Sequence, residues 1–135
     1  MLNKIPVFAL ASARLAHASQ RNAVIARNIA NADTPGFKAQ DVEAFDFARM
    51  AARSARDAAP KATRPGHAAG GPTAGRPRAD VLTPPATDEA PDGNTVSLEE
   101  QMVHAAATRG TFDLAATLYA KNLALLRTVL GRDGR

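Results

Sequence analysis

The 135-residue chain is predicted to be mainly α: two long N- and C-terminal helices packed as a coiled-coil-like pair, with a Pro/Gly-rich disordered excursion between them. Three observations predict this. Apolar and small residues recur at alternating three- and four-residue spacing near both ends. Between them, Pro60 to Asn94 holds seven prolines and five glycines in 35 residues, a composition that does not sustain regular structure. Aromatic residues are few, namely Phe8, Phe37, Phe45, Phe47, Phe112 and Tyr119, so burial rests on alanine and leucine, which suits close helix packing better than a ligand pocket. The predicted segments are 1–36 (helix and Pro-Gly turn), 37–58 (short helix or extended segment), 59–94 (disordered excursion) and 95–135 (C-terminal helix).

The first helix is predicted to start near Asn3, an N-cap residue, because Pro6 is tolerated only in a first turn. Phe8, Ala11, Leu15, Ala18, Asn22, Ile25, Ile29 and Ala32 then fall on one heptad seam. Ala11 and Ala18 admit a close partner, and Asn22 either fixes register inside the seam or faces solvent. Pro35 restricts Thr34 to extended conformations and stops the helix. Pro35-Gly36 fits the centre of a type II turn, with Asn31 or Asp33 leaving the helix through a left-handed conformation.

Residues 37–56 are ambiguous, since Asp41 suits the cap of a short helix carrying Val42, Phe45 and Ala48, whereas Phe45 and Phe47 alternate as a strand would. Within the excursion, Val81-Leu82-Thr83 reads as an isolated extended piece ahead of Pro84-Pro85. Deleting most of residues 62–88 is therefore expected to leave assembly intact. Order resumes at Asp92-Gly93-Asn94, a turn signal, and Ser97 with Glu100 has capping-box spacing. The second helix should run to Leu130, with Gly131 as its stop. Its seam is Leu98, Met102, Ala105, Phe112, Ala116, Tyr119, Leu123, Leu126 and Leu130, interrupted by Arg109. A second stripe, Leu114, Leu118, Leu125 and Val129, is turned from the first by about 130° at 100° per residue. One stripe serves the N-terminal helix. The other is left for a neighbouring subunit, unless the 37–56 segment covers it.

The formal charge is +4, with basic residues concentrated in 1–32 and 48–80 and acids alone in 88–100. Such segregation suits subunits that meet head to tail, and no recognition motif supports a nucleic-acid partner. The chain has no cysteine, which excludes disulfides, thiolate zinc sites and cysteine nucleophiles. His17, His67 and His104 stand far apart without metal-ligand spacing, and no nucleophile, phosphate-binding or dinucleotide motif occurs. The sequence thus predicts no catalytic, cofactor-binding or metal site, no small-molecule substrate and no enzyme. Neither a signal peptide nor a run of about 18 apolar residues is evident.

Asn28-Ile29-Ala30-Asn31-Ala32-Asp33-Thr34-Pro35-Gly36-Phe37-Lys38 resembles the N-terminal signature of bacterial flagellar rod and hook proteins. Asp92 to Met102, with Leu125-Leu126-Arg127-Thr128-Val129-Leu130, is similar to the end of the proximal-rod members of the flagellar basal body rod protein family. The resemblance implies a structural subunit of the proximal rod whose paired helices form an inner tube, self-assembling and linking the export base to the rod. It implies passage to the periplasmic rod through the flagellar type III export apparatus without a cleaved signal. Further copies of the chain, rod protein C and the export-gate adaptor protein E are the implied partners. Asn28, Asn31, Asp33, Thr34, Pro35 and Gly36 would shape the bend at the helix end. Arg27 and Arg109-Gly110-Thr111-Phe112 depart from the family pattern. Rod protein C, another rod or hook member, and a cytoplasmic coiled-coil adaptor are the alternatives, the last distinguished by absence from isolated basal bodies.

Overall fold

The computed structural model describes residues 6–57, 79–86 and 88–131, with the side chains of 53–57 excluded. Its elements are α1 (Pro6–Ala30), β1 (Asp41–Val42), α2 (Phe47–Asp57), β2 (Val81–Leu82) and α3 (Leu98–Gly131). At 1.5 Å per residue α1 and α3 are about 38 and 51 Å long. They run antiparallel. Asn28 meets Gln101 at one end, and at the other the Phe8 and Tyr119 rings meet edge to face, 5.0 Å between centroids. Pro6 opens α1, where its missing N–H removes only a donor that would be unpaired anyway. The cap expected at Asn3, His67 and the expected disorder of 59–78 lie outside the described residues.

The core is narrow and unusually polar. Phe8, Ala18, Ile25, Val42 and Ala115 are its buried apolar members, alongside the buried Asn28, Asn94, Gln101 and Thr108. The helices do pair, but the contact line is shifted from the heptad reading. On α1 it passes through Ala18, half-buried Arg21, Ile25 and Asn28, while Asn22 and Ile29 face outward. Asn28 is held inward by its side-chain hydrogen bonds to Gln40 and Gln101, and this turns Ile29, the next residue, outward. Phe8 and Ile25 remain buried and Leu15 half-buried, as the seam expects.

On α3 the line is Gln101, Thr108 and Ala115, one residue ahead of the expected Met102, Arg109 and Ala116. Met102, Phe112 and Leu130 are consequently exposed, and Leu98 with them. Ala105, Ala116, Tyr119, Leu123 and Leu126 are half-buried. Hydrophobicity alone selects the wrong line here, because the side chain drawn inward at residue 101 is held by a hydrogen bond rather than by its apolar area.

Residues 37–57 divide into extended and helical parts. Asp41 does not cap a helix; it lies in β1, which pairs antiparallel with β2 in the register Asp41↔Leu82 and Val42↔Val81. The cap of α2 is Asp46, whose Oδ1 accepts from Arg49 N at 2.8 Å. Residues 79–86 and 88–94 are likewise not a structureless stretch. Glu43 N donates to Asp80 O at 2.8 Å, and the Gln20 side chain exchanges two hydrogen bonds with the backbone of Ala79. A deletion that reached past residue 78 would remove these bonds and then β2.

Candidate assembly surface and helix-end clasp

The end of α1 is built by short-range turns. Asn31 N and Ala32 N donate to the carbonyls of Asn28 and Ile29, tightening the last turn. Asn31 Nδ2 reaches back to Arg27 O at 2.7 Å, and Thr34 Oγ1 donates to Asn31 Oδ1. Neither Asn31 nor Asp33 adopts a left-handed conformation; among the described residues only glycines have positive φ. The side-chain and three-residue bonds replace the left-handed exit expected from sequence. Thr34-Pro35-Gly36-Phe37 forms the type II turn, with Gly36 at φ 70° and Phe37 N donating to Thr34 O.

Opposite this turn stands Ala90-Pro91-Asp92-Gly93-Asn94, a three-residue loop closed by Gly93 N to Ala90 O and Ala90 N to Asn94 O, with Gly93 at φ 82°. The two turns lie back to back: Gly36 N donates to Asp92 O, and Thr95 N donates to Phe37 O. Asn94, 5% exposed, completes the clasp. Its Nδ2 contacts the carbonyls of Asn31, Ala32 and Thr34 at 3.0, 2.8 and 2.8 Å, and its Oδ1 accepts from Val96 N. Carbonyls that the end of α1 leaves without helical partners are thereby satisfied from the far side of the chain. Ser97 then caps α3, its Oγ accepting from Glu100 N; Glu100 itself extends toward His104, 4.0 Å away.

Asn28 is fully buried. Its Nδ2 donates to Gln40 O and to Gln101 Oε1, while its Oδ1 accepts from Gln40 N, so one amide ties α1 to α3 and to the strand leading into β1. Next to this network, Arg21 grips Asp41 through two hydrogen bonds of 2.7 and 2.6 Å. Burial pushes the Asp41 carboxyl up. The Arg21 guanidinium, the Val42 N–H and the charges of Arg21 and His104 outweigh it and hold the group below its ordinary value. The hydrogen bond to Asp41 raises Arg21 in turn, against its own burial. Phe45 is held on α1 by His17, edge to face, and by Arg14 over its ring at 4.7 Å.

Three of the six signature residues thus act directly at the helix end: Asn31, Thr34 and Gly36. Asp33 and Pro35 are exposed on the turn, and Asn28 works one turn earlier. Sequence reasoning missed Asn94 and Gln101 as the partners of this region; their amide side chains were the signal, and the two residues were read only as part of a turn signal and of the Asp92–Met102 resemblance. Sequence reasoning also gave Arg21, Gln40 and Asp41 no role in it.

The stripe Leu114, Leu118, Leu125 and Val129 is 47–64% exposed. Beside it a groove of about 410 Å³ runs between α1 and α3, lined by Val7, Leu10, Phe45, Phe47, Leu114 and Leu118. On the other flank of α3 stand Leu98, Met102, Phe112 and Leu130, all exposed. At 100° per residue these two apolar flanks are about 160° apart, on either side of the band taken by α1. Among the described residues no cluster of His, Asp and Glu has metal-binding geometry, and no helix is long and apolar enough to cross a membrane.

Residues 9–38, which carry most of α1 and the whole turn, match the family model described as flagella basal body rod protein. The chain is 32% identical over 120 residues to the flagellar basal body rod protein FlgB of Agrobacterium fabrum (strain C58 / ATCC 33970), covering 87% of each sequence. It is also 32% identical over 111 residues to the FlgB of Cereibacter sphaeroides, covering 82% of each.

Proposed function

From the chain's membership of the flagellar basal body rod protein family, which makes it a structural subunit of the basal body rod in bacterial motility, we propose that it assembles side by side with copies of itself through α1 and α3. The carrying observation is the pair of apolar flanks on opposite sides of α3. A closed two-fold dimer uses the same patch on both partners and would leave one flank of each copy bare. Unlike patches facing away from each other call for a heterologous contact, which repeats around a ring or along an open helix. In this reading Leu114, Leu118, Leu125 and Val129 of one copy meet Leu98, Met102, Phe112 and Leu130 of the next.

The proposal extends to what the sequence resemblance implies: a proximal position, with rod protein C and the export-gate adaptor protein E as neighbours, and delivery to the periplasm by the flagellar export apparatus. Because the chain has no cysteine, introduced cysteines report contacts cleanly. Mixed chains carrying L118C or M102C should give disulfide-linked heterodimers of 118 with 102 in assembled rods. A product dominated by 118–118 links would overturn the heterologous arrangement. Failure to recover the chain in isolated basal bodies would overturn the assembly role itself.

A further inference from the structure

We propose that the groove between α1 and α3 receives the first turns of α3 from the next copy, Leu98 and Met102 entering it and Glu99 pairing with Arg14. The arrangement presupposes side-by-side assembly through opposite flanks and adds which part of the next copy fills the groove. The space of about 410 Å³ exceeds twice the ~150 Å³ of a cavity that holds one benzene ring, so it takes two aliphatic side chains. Arg14 is the one charged side chain that lines it. Its guanidinium rests 4.7 Å over the Phe45 ring and forms no ion pair among the described residues. A guanidinium stacked on a ring keeps its in-plane N–H groups for a carboxylate. The groove thus calls for apolar side chains accompanied by a carboxylate.

The opposing flank offers three places, and charge separates them. Phe112 stands beside Arg109 and Asp113, which already pair with each other at 3.1 Å. Leu130 lies one turn beyond Arg127. Either would bring a cation toward Arg14, and like charges across a contact are strongly disfavoured. Leu98 and Met102 differ. They are 47% and 67% exposed and four residues apart, hence on one face of α3. Glu99 is about 60° round the helix from Met102, exposed, and without an ion pair among the described residues. Residues 88–100 around it hold no basic side chain. Of the three places, this one alone supplies both the apolar pair and an uncommitted carboxylate.

Cross-linking in isolated basal bodies tests the pairing. Rods are assembled from mixed full-length chains carrying Arg14→Cys or Glu99→Cys, with Asp113→Cys replacing Glu99→Cys as the comparison. A 14–99 heterodimer that dominates over a 14–113 product is the expected result. Rods that give the 118–102 link but no 14–99 link keep the side-by-side assembly and overturn the groove assignment alone; loss of both links overturns the assembly as well. A link from position 14 to a different basal-body protein also overturns it. Should Arg14→Cys cost the purified chain its helicity by circular dichroism, Ala11→Cys on the groove wall takes its place, judged by the same products. Charge reversal supplies the second readout. Arg14→Glu and Glu99→Arg should each lower the chain recovered in basal bodies about tenfold by setting like charges together, and the double variant should restore it. A double variant of parental helicity that recovers nothing overturns the ion pair.

Discussion

Replacing Asn94 tests the clasp most directly. Its side-chain amide faces three carbonyls and its oxygen accepts one N–H; two hydrogens shared among three acceptors count as two bonds, so three bonds are lost in Asn94→Ala. At about 1 kcal/mol net each the loss is about 3 kcal/mol, a large part of the stability of a small domain. Asn94→Asp should be worse at neutral pH. It sets an anionic oxygen against the carbonyl oxygens of Asn31, Ala32 and Thr34 in a site that is 5% exposed. That arrangement raises the introduced carboxyl above its unfolded value of about 3.9. Its extra cost is therefore absent below about pH 3.9 and grows as the pH rises through that value. Urea unfolding followed by circular dichroism at several pH values measures both variants, with an unchanged slope marking a true stability effect. A cost below about 0.5 kcal/mol for Asn94→Ala, or an Asn94→Asp penalty equal to it and independent of pH, would refute the role assigned to Asn94.

Asp41→Asn should cost about 1–2 kcal/mol near neutral pH, discounted because the pair keeps about a quarter of its side-chain surface exposed. Since folding lowers the Asp41 pKa, that contribution is present above the unfolded value and lost as the pH falls toward the folded one. The stability gap between parent and variant should accordingly close in acid. Gly36→Ala should destabilise by about 1–2 kcal/mol through its φ of 70° alone, since nothing lies within 4 Å of the added Cβ. Gly110→Ala, on an exposed face of α3 with equally open space, should stabilise by about 1 kcal/mol; thermal melts compare the two. Thr108 Oγ1 is buried without a hydrogen-bond partner among the described residues. Thr108→Val should leave stability unchanged or raise it by about 1 kcal/mol, again by thermal melt.

Sequence made the two long helices legible because periodicity and stop signals are local: Ser97 and the Thr34-Pro35-Gly36 turn act where they were expected. What sequence could not reveal depends on contacts between distant residues. Asn28 and Gln101 are 73 positions apart, and the pattern of apolar residues pointed to Ile29 and Met102 instead, each one step out of line. The same holds for Asp41, whose proximity to a helix-like stretch suggested a cap while Arg21, twenty residues earlier, determines its place. Val81-Leu82 was recognisable as extended, but its strand partner lies forty positions away and leaves no local mark. The apolar stripe on α3 was visible from spacing, and its exposure followed only once α1 had taken its own share of that helix.

The two-residue ladder between β1 and β2 has an architectural consequence. With Glu43 N bonded to Asp80 O, the polypeptide returns to its point of departure before continuing toward α3. The main helices touch each other directly, so their separation is independent of how many residues are spent beyond this waist. Cargo grafted after α2 and before residue 79 would hang from a closed loop, and the long hairpin would keep its dimensions whatever the graft weighed.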